Sequence, residues 1–221
     1  MSDQEAQTAQ QGNETQEEQP TIVKPATDDK PEKVILHPRQ KKVKPPKKEK
    51  PPPPPPKDPA CFIDCRVGQI VKVSVVPDAD TLFREEVDCG NGITKHVVTS
   101  VRKYYTEEQL LNRRVCVFVN IHPGKMRGET SEAMLLGGST PDPDQCELLD
   151  PPPDDPIGTR ILFGSFTEGE PEGIDNKNKQ WKKILPHLHI DENGVATYKG
   201  EPLHTASGNV TVPTIRDCEF H

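Results

Sequence analysis

The sequence predicts a mainly β protein. It reads as a small five-stranded barrel with one short helix, an α+β extension behind it, and a disordered arm in front. Three observations lead there. Residues 1–57 are polar, charged and proline-rich, without apolar periodicity. From Phe62 onward, short Val- and Ile-rich runs alternate with polar residues and are punctuated by Gly, Pro, Asn and Asp, the mark of half-buried strands joined by turns. One capped helix signal interrupts these strands, between the third and the fourth.

The arm has two halves. Residues 1–23 hold five acids and no base, and residues 24–57 hold ten lysines and Arg39 against four acids. The second half ends in six consecutive prolines, 51–56, which favour an extended, stiff polyproline II spacer. Such segments bury too little apolar surface to offset the entropy of ordering. Three readings stay open for the basic half: a phosphate-contacting arm using Lys41, Lys42, Lys44, Lys47, Lys48 and Lys50, a solvated linker, or a proline-rich ligand for an SH3 or WW domain.

The barrel elements follow in order. Residues 62–76 read as a long first strand, with Gly68 marking a bulge or bend. Pro77-Asp78-Ala79-Asp80 is a turn. Residues 82–89 form a second strand, closed by Gly90-Asn91-Gly92, a hairpin signal, and residues 94–101 form a third. Thr106 ahead of Glu107 and Glu108 is an N-cap with acids in the first turn, so a short helix is expected there. Residues 114–121 read as the fourth strand, 123–128 as a loop and 131–137 as the fifth strand. This order is that of an OB-fold, although SH3-like barrels and open five-stranded sheets share it on pattern alone. Behind it, residues 138–173 look loop-rich, with strand candidates at 146–149 and 160–163. Residues 175–185 look helical, and 195–203 and 210–212 look like strands. This tail lacks a large core and is expected to pack on the barrel. The chain therefore divides into an arm (1–57), a barrel (58–140) and an extension (141–221).

Several function classes are disfavoured. No apolar run approaches the roughly 20 residues of a membrane-spanning helix, and the polar start MSDQEAQTAQ resembles neither a signal nor a transit peptide, so the cytosol is expected. The six cysteines contain no CxxC pair, so reduced structural thiols are expected. Walker, Rossmann, HExxH and GxSxG patterns are lacking, which argues for a non-catalytic protein without cofactor. Cys61 with Cys65, and His187 with His189, would each share a strand face, but neither has a second ligand pair nearby, so no metal site is expected. Glu85 and Glu86 alternate across a strand and read as solubilising.

Charge is unevenly placed. Residues 58–221 hold 17 basic and 26 acidic residues, a net of −9. Residues 91–128 are the exception at +5, through Lys95, Arg102, Lys103, Arg113, Arg114, Lys125 and Arg127. In an OB-fold, nucleic acid lies over strands two and three, beside the loops between strands one and two and strands four and five. Lys125 and Arg127 fall on the latter. An acidic body would confine RNA to that one face; the plain alternative is that these bases decorate solvent-facing positions.

Specific motifs narrow this. They are Asp64-Cys-Arg-Val-Gly-Gln-Ile70, Pro77-Asp-Ala-Asp-Thr-Leu82, Glu85-Glu-Val-Asp88, Asn112-Arg113, and Asn120-Ile-His-Pro-Gly-Lys-Met-Arg-Gly128 followed by Ser131-Glu-Ala-Met134. Later stretches, Glu147-Leu-Leu-Asp-Pro-Pro152, Pro156-Ile-Gly-Thr-Arg160, the segment around Trp181 and Val195-Ala-Thr-Tyr-Lys-Gly200, extend the series. About 160 of the 221 residues resemble the tRNA-binding domain of the endothelial monocyte-activating polypeptide II family. That family includes tRNA-binding cofactors of synthetase complexes and domains appended to methionyl- and tyrosyl-tRNA synthetases.

The resemblance implies a tRNA-binding accessory protein that delivers or retains tRNA for one or more aminoacyl-tRNA synthetases. Its extension would mimic the interface through which shorter bacterial relatives dimerise, leaving a monomer. Alternatives within the same resemblance are a synthetase scaffold with secondary RNA binding and a signalling domain released by proteolysis. The implied RNA-facing residues are Asn120, Lys125, Arg127, Ser131 and Met134, with Ser100, Arg102 and Met126 beside them. Lys125 and Arg127 would meet phosphates, Asn120 and Ser131 a base or 2′-hydroxyl, and Met134 would give an adaptable apolar contact. Gly128 would supply backbone freedom. Two positions depart from the family pattern: Val76 stands in place of a histidine and Ser100 in place of a glycine. Residues 1–57 contain neither the folded domain nor the leucine-heptad helix through which some relatives dock on synthetases.

The phosphate-contact reading of the arm predicts that a chain lacking residues 1–57 binds tRNA with a shallower dependence of log affinity on log salt. An unchanged slope would identify the arm as a spacer.

Overall fold

The computed structural model describes residues 57–220 except 142–143, 168–170 and 172. The arm, with its six candidate lysines 41–50, lies outside the described residues. The fold is mainly β and of the OB type. Strand β1 (Cys65–Val75) pairs antiparallel with β4 (Arg114–Phe118) through its first half and with β2 (Phe83–Asp88) through its second. Changing partners bends the strand, and the register shift falls between Ile70 and Lys72. The bulge is therefore beyond Gly68. Gly68 is needed for close approach instead, because a Cβ there would stand 2.6 Å from Val117 Cγ2. Strand β2 turns into β3 (Thr94–Thr99) through Asn91 and Gly92, at φ 54° and 73°, the two positive values that a type I′ turn requires.

Helix α1 (Glu107–Leu110) starts on a reciprocal capping box. Gln109 N–H donates to Thr106 Oγ1 at 3.4 Å, and Thr106 N–H donates to Gln109 Oε1 at 2.8 Å. After β4, residues 123–128 are not the expected loop. They belong to a β-hairpin of β5 (Gly124–Met126) and β6 (Glu129–Ser131). The expected fifth strand is also broken. Strand β7 (Met134–Leu135) pairs with β4, and β8 (Gly137–Pro141) then leaves the barrel to pair with β9 (Asp144–Leu148). The ladder does not close between β3 and β6–β7. Three hydrogen bonds bridge that gap: Glu132 N–H to His96 O at 2.7 Å, His96 N–H to Glu132 Oε2 at 3.1 Å, and Val98 N–H to Ser131 Oγ at 3.0 Å.

The following segment continues the sheet through β10 (Arg160–Phe163), which pairs with β1, and through β11 (Leu188–Ile190), β12 (Ala196–Tyr198), β13 (Glu201–His204) and β14 (Cys218–Phe220). Residues 195–203 form a hairpin rather than one strand, because Lys199 and Gly200 take φ 52° and 83°. Residues 210–212 make only isolated bridges. The expected helix is shortened to α2 (Lys179–Ile184), since Lys177 and Asn178, at φ 58° and 54°, break it.

Strand β4 has two apolar faces. Val115 and Val117 point into the barrel with Ile70, Val97 and Leu135. Cys116 and Phe118 point the other way, into a second core with Val67, Leu136, Ile161, Trp181 and Tyr198. The C-terminal segment thus builds its core on the outer wall of the barrel. All six cysteines are free and buried. Burial pushes the Cys65 and Cys116 thiols well up, and that of Cys89 to about 11. The candidate ligand pairs serve other contacts: Cys61 donates to Phe166 O at 3.0 Å, Cys65 is core, and His189 Nε2 lies 3.0 Å from Asp217 Oδ1.

Glu85 corrects an expectation. Glu86 faces out and pairs with Lys72 at 2.7 Å, but Glu85 points inward and is fully buried. Thr99 Oγ1 donates to its Oε1 at 2.9 Å, while Oε2 has no partner among the described residues. Burial pushes this carboxyl up to about 8. An unfolded chain releases the same proton near 4.5. The stability provided by neutral Glu85 is therefore complete in mild acid and drains away as pH rises towards 8. Glu85→Gln should match the wild type in thermal unfolding near pH 5 and exceed it by about 2–4 kcal/mol near pH 8.5. Parallel pH profiles for the two proteins would contradict this.

Candidate nucleic-acid interface

The chain leaving β4 is fixed by one side chain. Asn120 Oδ1 accepts from Asp64 N–H at 2.9 Å, and its Nδ2 donates to Phe62 O at 2.9 Å and Gly173 O at 2.8 Å. Both amide protons are used on the protein itself. The next residues are clamped by the C-terminal segment: Asp175 N–H donates to Asn120 O at 2.8 Å, and His122 N–H to Asn178 Oδ1 at 2.9 Å. Asp175 in turn caps α2, accepting from Gln180 and Trp181 N–H. The root of the hairpin and the start of α2 are therefore one bonded unit.

The hairpin projects from this root. Its other end is held by Ser131 Oγ, which accepts from Val98 N–H and donates to Ala133 O at 2.9 Å. An Arg84–Glu129 ion pair at 3.4 Å adds to it. The two-residue turn is Arg127-Gly128, at φ 48° and 89°. A type I′ turn favours Asn-Gly, and a long side chain at positive φ is uncommon. Lys125, Met126 and Arg127 are all exposed, and neither base makes an ion pair among the described residues.

Between the end of β3, the hairpin and Asn178 lies a cleft of about 310 Å³, the lower range of small-ligand sites. It brings together Ser100, Lys125, Met126, Ser131 and Met134 over an apolar floor that includes Val98, Leu135 and Leu148. Thr99, which donates to buried Glu85, is also part of its lining. Three expected site residues are not in it. Asn120 faces inward, Arg127 sits at the hairpin tip, and Arg102 donates to Ala79 O at 3.3 Å, bracing the 77–80 turn. His122 and Asn178 line the cleft and were not expected from the sequence. His122 lay inside a quoted motif, but Asn178 reaches the site only by tertiary packing.

The positive stretch also thins out. Lys103 pairs with Asp144, Arg113 pairs with Asp150 at 2.8 Å, and Arg114 donates to the carbonyls of Pro152 and Asp155. The hairpin bases are left facing solvent.

An OB-type barrel that turns a basic hairpin and an apolar cleft to the same side has the build of an oligonucleotide-binding domain. Residues 65–160 match the family described as "Putative tRNA binding domain", and that stretch of the chain is a domain of this kind. It is 44% identical over 154 residues to the cytoplasmic methionine–tRNA ligase of Arabidopsis thaliana, covering 69% of this chain and 19% of the ligase. It is 40% identical over 149 residues to the mouse aminoacyl tRNA synthase complex-interacting multifunctional protein 1, covering 67% of this chain and 47% of that protein. The crystal structure of the C-terminal domain of Plasmodium vivax p43 superposes with a TM-score of 0.67 at 29% identity, covering 73% of this chain and 98% of that one. The chain thus spans less than half the length of these two curated relatives, and in the ligase the match is confined to about a fifth.

Asn120→Ala leaves two carbonyls and one N–H without partners. Urea unfolding should show a loss of about 2–4 kcal/mol. A loss below about 0.5 kcal/mol would show that the amide does not hold the hairpin root.

Proposed function

We propose that this protein is a non-catalytic accessory factor that holds tRNA for aminoacyl-tRNA synthetases. The observation behind this reading is the β5–β6 hairpin. It presents Lys125 and Arg127, free of intramolecular ion pairs among the described residues, beside an apolar cleft. Phosphate neutralisation by these bases supplies affinity independent of sequence. The cleft, with Met126, Met134 and the Ser100 hydroxyl, accepts an unstacked base, the usual target of single-stranded RNA recognition. Asn120 and Ser131 shape the site rather than touch RNA, because their hydrogen-bonding groups are already occupied within the fold. Arg127 at a turn position that favours asparagine supports a role outside folding.

The wider setting is part of the proposal. The relatives include a methionine–tRNA ligase and a protein named as interacting with an aminoacyl tRNA synthase complex, which supports a synthetase partner and work in protein synthesis. The Arabidopsis relative is named as cytoplasmic, and no helix among the described residues is long and apolar enough to cross a membrane; we place the protein in the cytoplasm. The segment after residue 140 covers the outer wall of the barrel with a shared core, which supports a monomer in which this extension takes the place of a dimer partner. Basic-arm lysines 41–50 would add a second, weaker RNA contact, and two tethered contacts give avidity above either alone.

Lys125→Ala with Arg127→Ala should weaken tRNA binding about tenfold or more at moderate salt and lower the salt slope by about 1.5–2, with thermal stability unchanged. Arg127→Asn keeps the turn chemistry and should weaken tRNA while preserving or raising stability. Wild-type tRNA affinity in both variants, or equal affinity for heparin and tRNA in the wild type, would refute the proposed site.

A further inference from the structure

The C-terminal extension looks unpromising for RNA by charge alone. Residues 129–221 hold 7 basic and 17 acidic residues. Yet four of those seven bases, Lys177, Lys179, Lys182 and Lys183, fall within one run of seven residues. All four are exposed. Lys179, Lys182 and Lys183 are spaced three and four apart on α2, so they share one face. Trp181 and Ile184 occupy the other and are buried in the shared core. None of the four makes an ion pair among the described residues, and only Lys183 has a hydrogen bond, to Gln180 Oε1 at 3.3 Å. The nearest acid on the same element, Asp175, is buried and spends its carboxylate on the α2 N–H groups.

This lysine face is not placed at random. Asn178, one residue ahead of α2, lines the same cleft as Lys125, and its side chain bonds the His122 backbone at the hairpin root. The helix that carries these lysines therefore starts at the edge of the cleft that the hairpin borders, and its first turn is tied to the hairpin root through Asn178. A helix of six residues is about 9 Å long, longer than the step between successive phosphates of an RNA strand. Two successive phosphates fit along it.

We propose that α2 forms the second half of the RNA interface: Lys177, Lys179, Lys182 and Lys183 take the sugar-phosphate backbone of the tRNA whose bases and phosphates meet the cleft and hairpin. This rests on the tRNA-binding reading of the hairpin and gives the extension a direct part in RNA binding, beyond covering the barrel.

The test compares tRNA binding against salt for the full chain in three forms: wild type, Lys125→Ala/Arg127→Ala, and Lys179→Ala/Lys182→Ala/Lys183→Ala. The lysine triple variant should bind about tenfold more weakly and lose about 2–3 from the salt slope. Its thermal unfolding should be unchanged, and the corresponding triple arginine variant should restore binding. If the hairpin variant weakens binding and the lysine variant does not, the inference is wrong and the hairpin reading stands. If neither variant weakens binding, both fail. If only the lysine variant does, α2 is an RNA surface and the hairpin reading fails.

Discussion

The wall of the barrel made by β1, β4 and β7 is apolar on both sides, and the rest of the structure depends on that constraint. Val117 and Leu135 face the barrel interior, whereas Phe118 and Leu136, their neighbours in sequence, face outward. Left bare, the outer side would be a contiguous apolar patch of the kind that soluble monomers avoid. The extension exists to cover it. Contrary to the expectation of a tail without a large core, its short elements supply most of the buried side chains of the outer cluster, and they seat it on the wall where Trp181 packs against Phe118 with ring centroids 5.5 Å apart. Each large side chain buried this way contributes about 1.5–3 kcal/mol.

Covering the wall also positions the site. Once α2 is seated by Trp181 and Ile184, residues 173–178 lie against the strand exit at Asn120, and the Asn120 amide joins three segments with three hydrogen bonds. Polar groups near the cleft then divide into two sets. Asn120, Ser131, Glu132 and Arg102 are spent on holding the frame. Lys125, Met126, Arg127 and the α2 lysines are left over, and side chains without a structural task on a rigid frame are the ones available to a ligand. Glu85 is the exception in the barrel interior. Burial keeps its carboxyl neutral, and Thr99, part of the cleft lining, donates a hydrogen bond to it.

Much of this was legible in the sequence. The alternating runs gave four of the barrel strands to within a few residues, because each is bounded by turn chemistry. Thr106 marked α1 correctly, since a capping box is a local device. The hairpin at 124–131 is not legible in the sequence because strands of three residues leave no periodicity, even though Arg127-Gly128 forms its two-residue turn. By sequence Gly68 reads as a bend and Glu85 as a surface acid, whereas the first serves close packing and the second is buried. Neither distinction exists without a neighbour across the sheet. The lysine face of α2 was concealed by averaging charge over an acidic segment, and its relation to the cleft depends on contacts between residues more than 50 positions apart.

The central claim is that tRNA lies across the hairpin, the cleft and α2 together. Lysine acetylation of the full chain with and without tRNA, read residue by residue by mass spectrometry, tests it most directly. The account predicts that tRNA protects Lys125, Lys177, Lys179, Lys182 and Lys183 while Lys72 and Lys103 react as before. Protection confined to the arm lysines 41–50, with Lys125 and the α2 lysines equally reactive in both states, would contradict it.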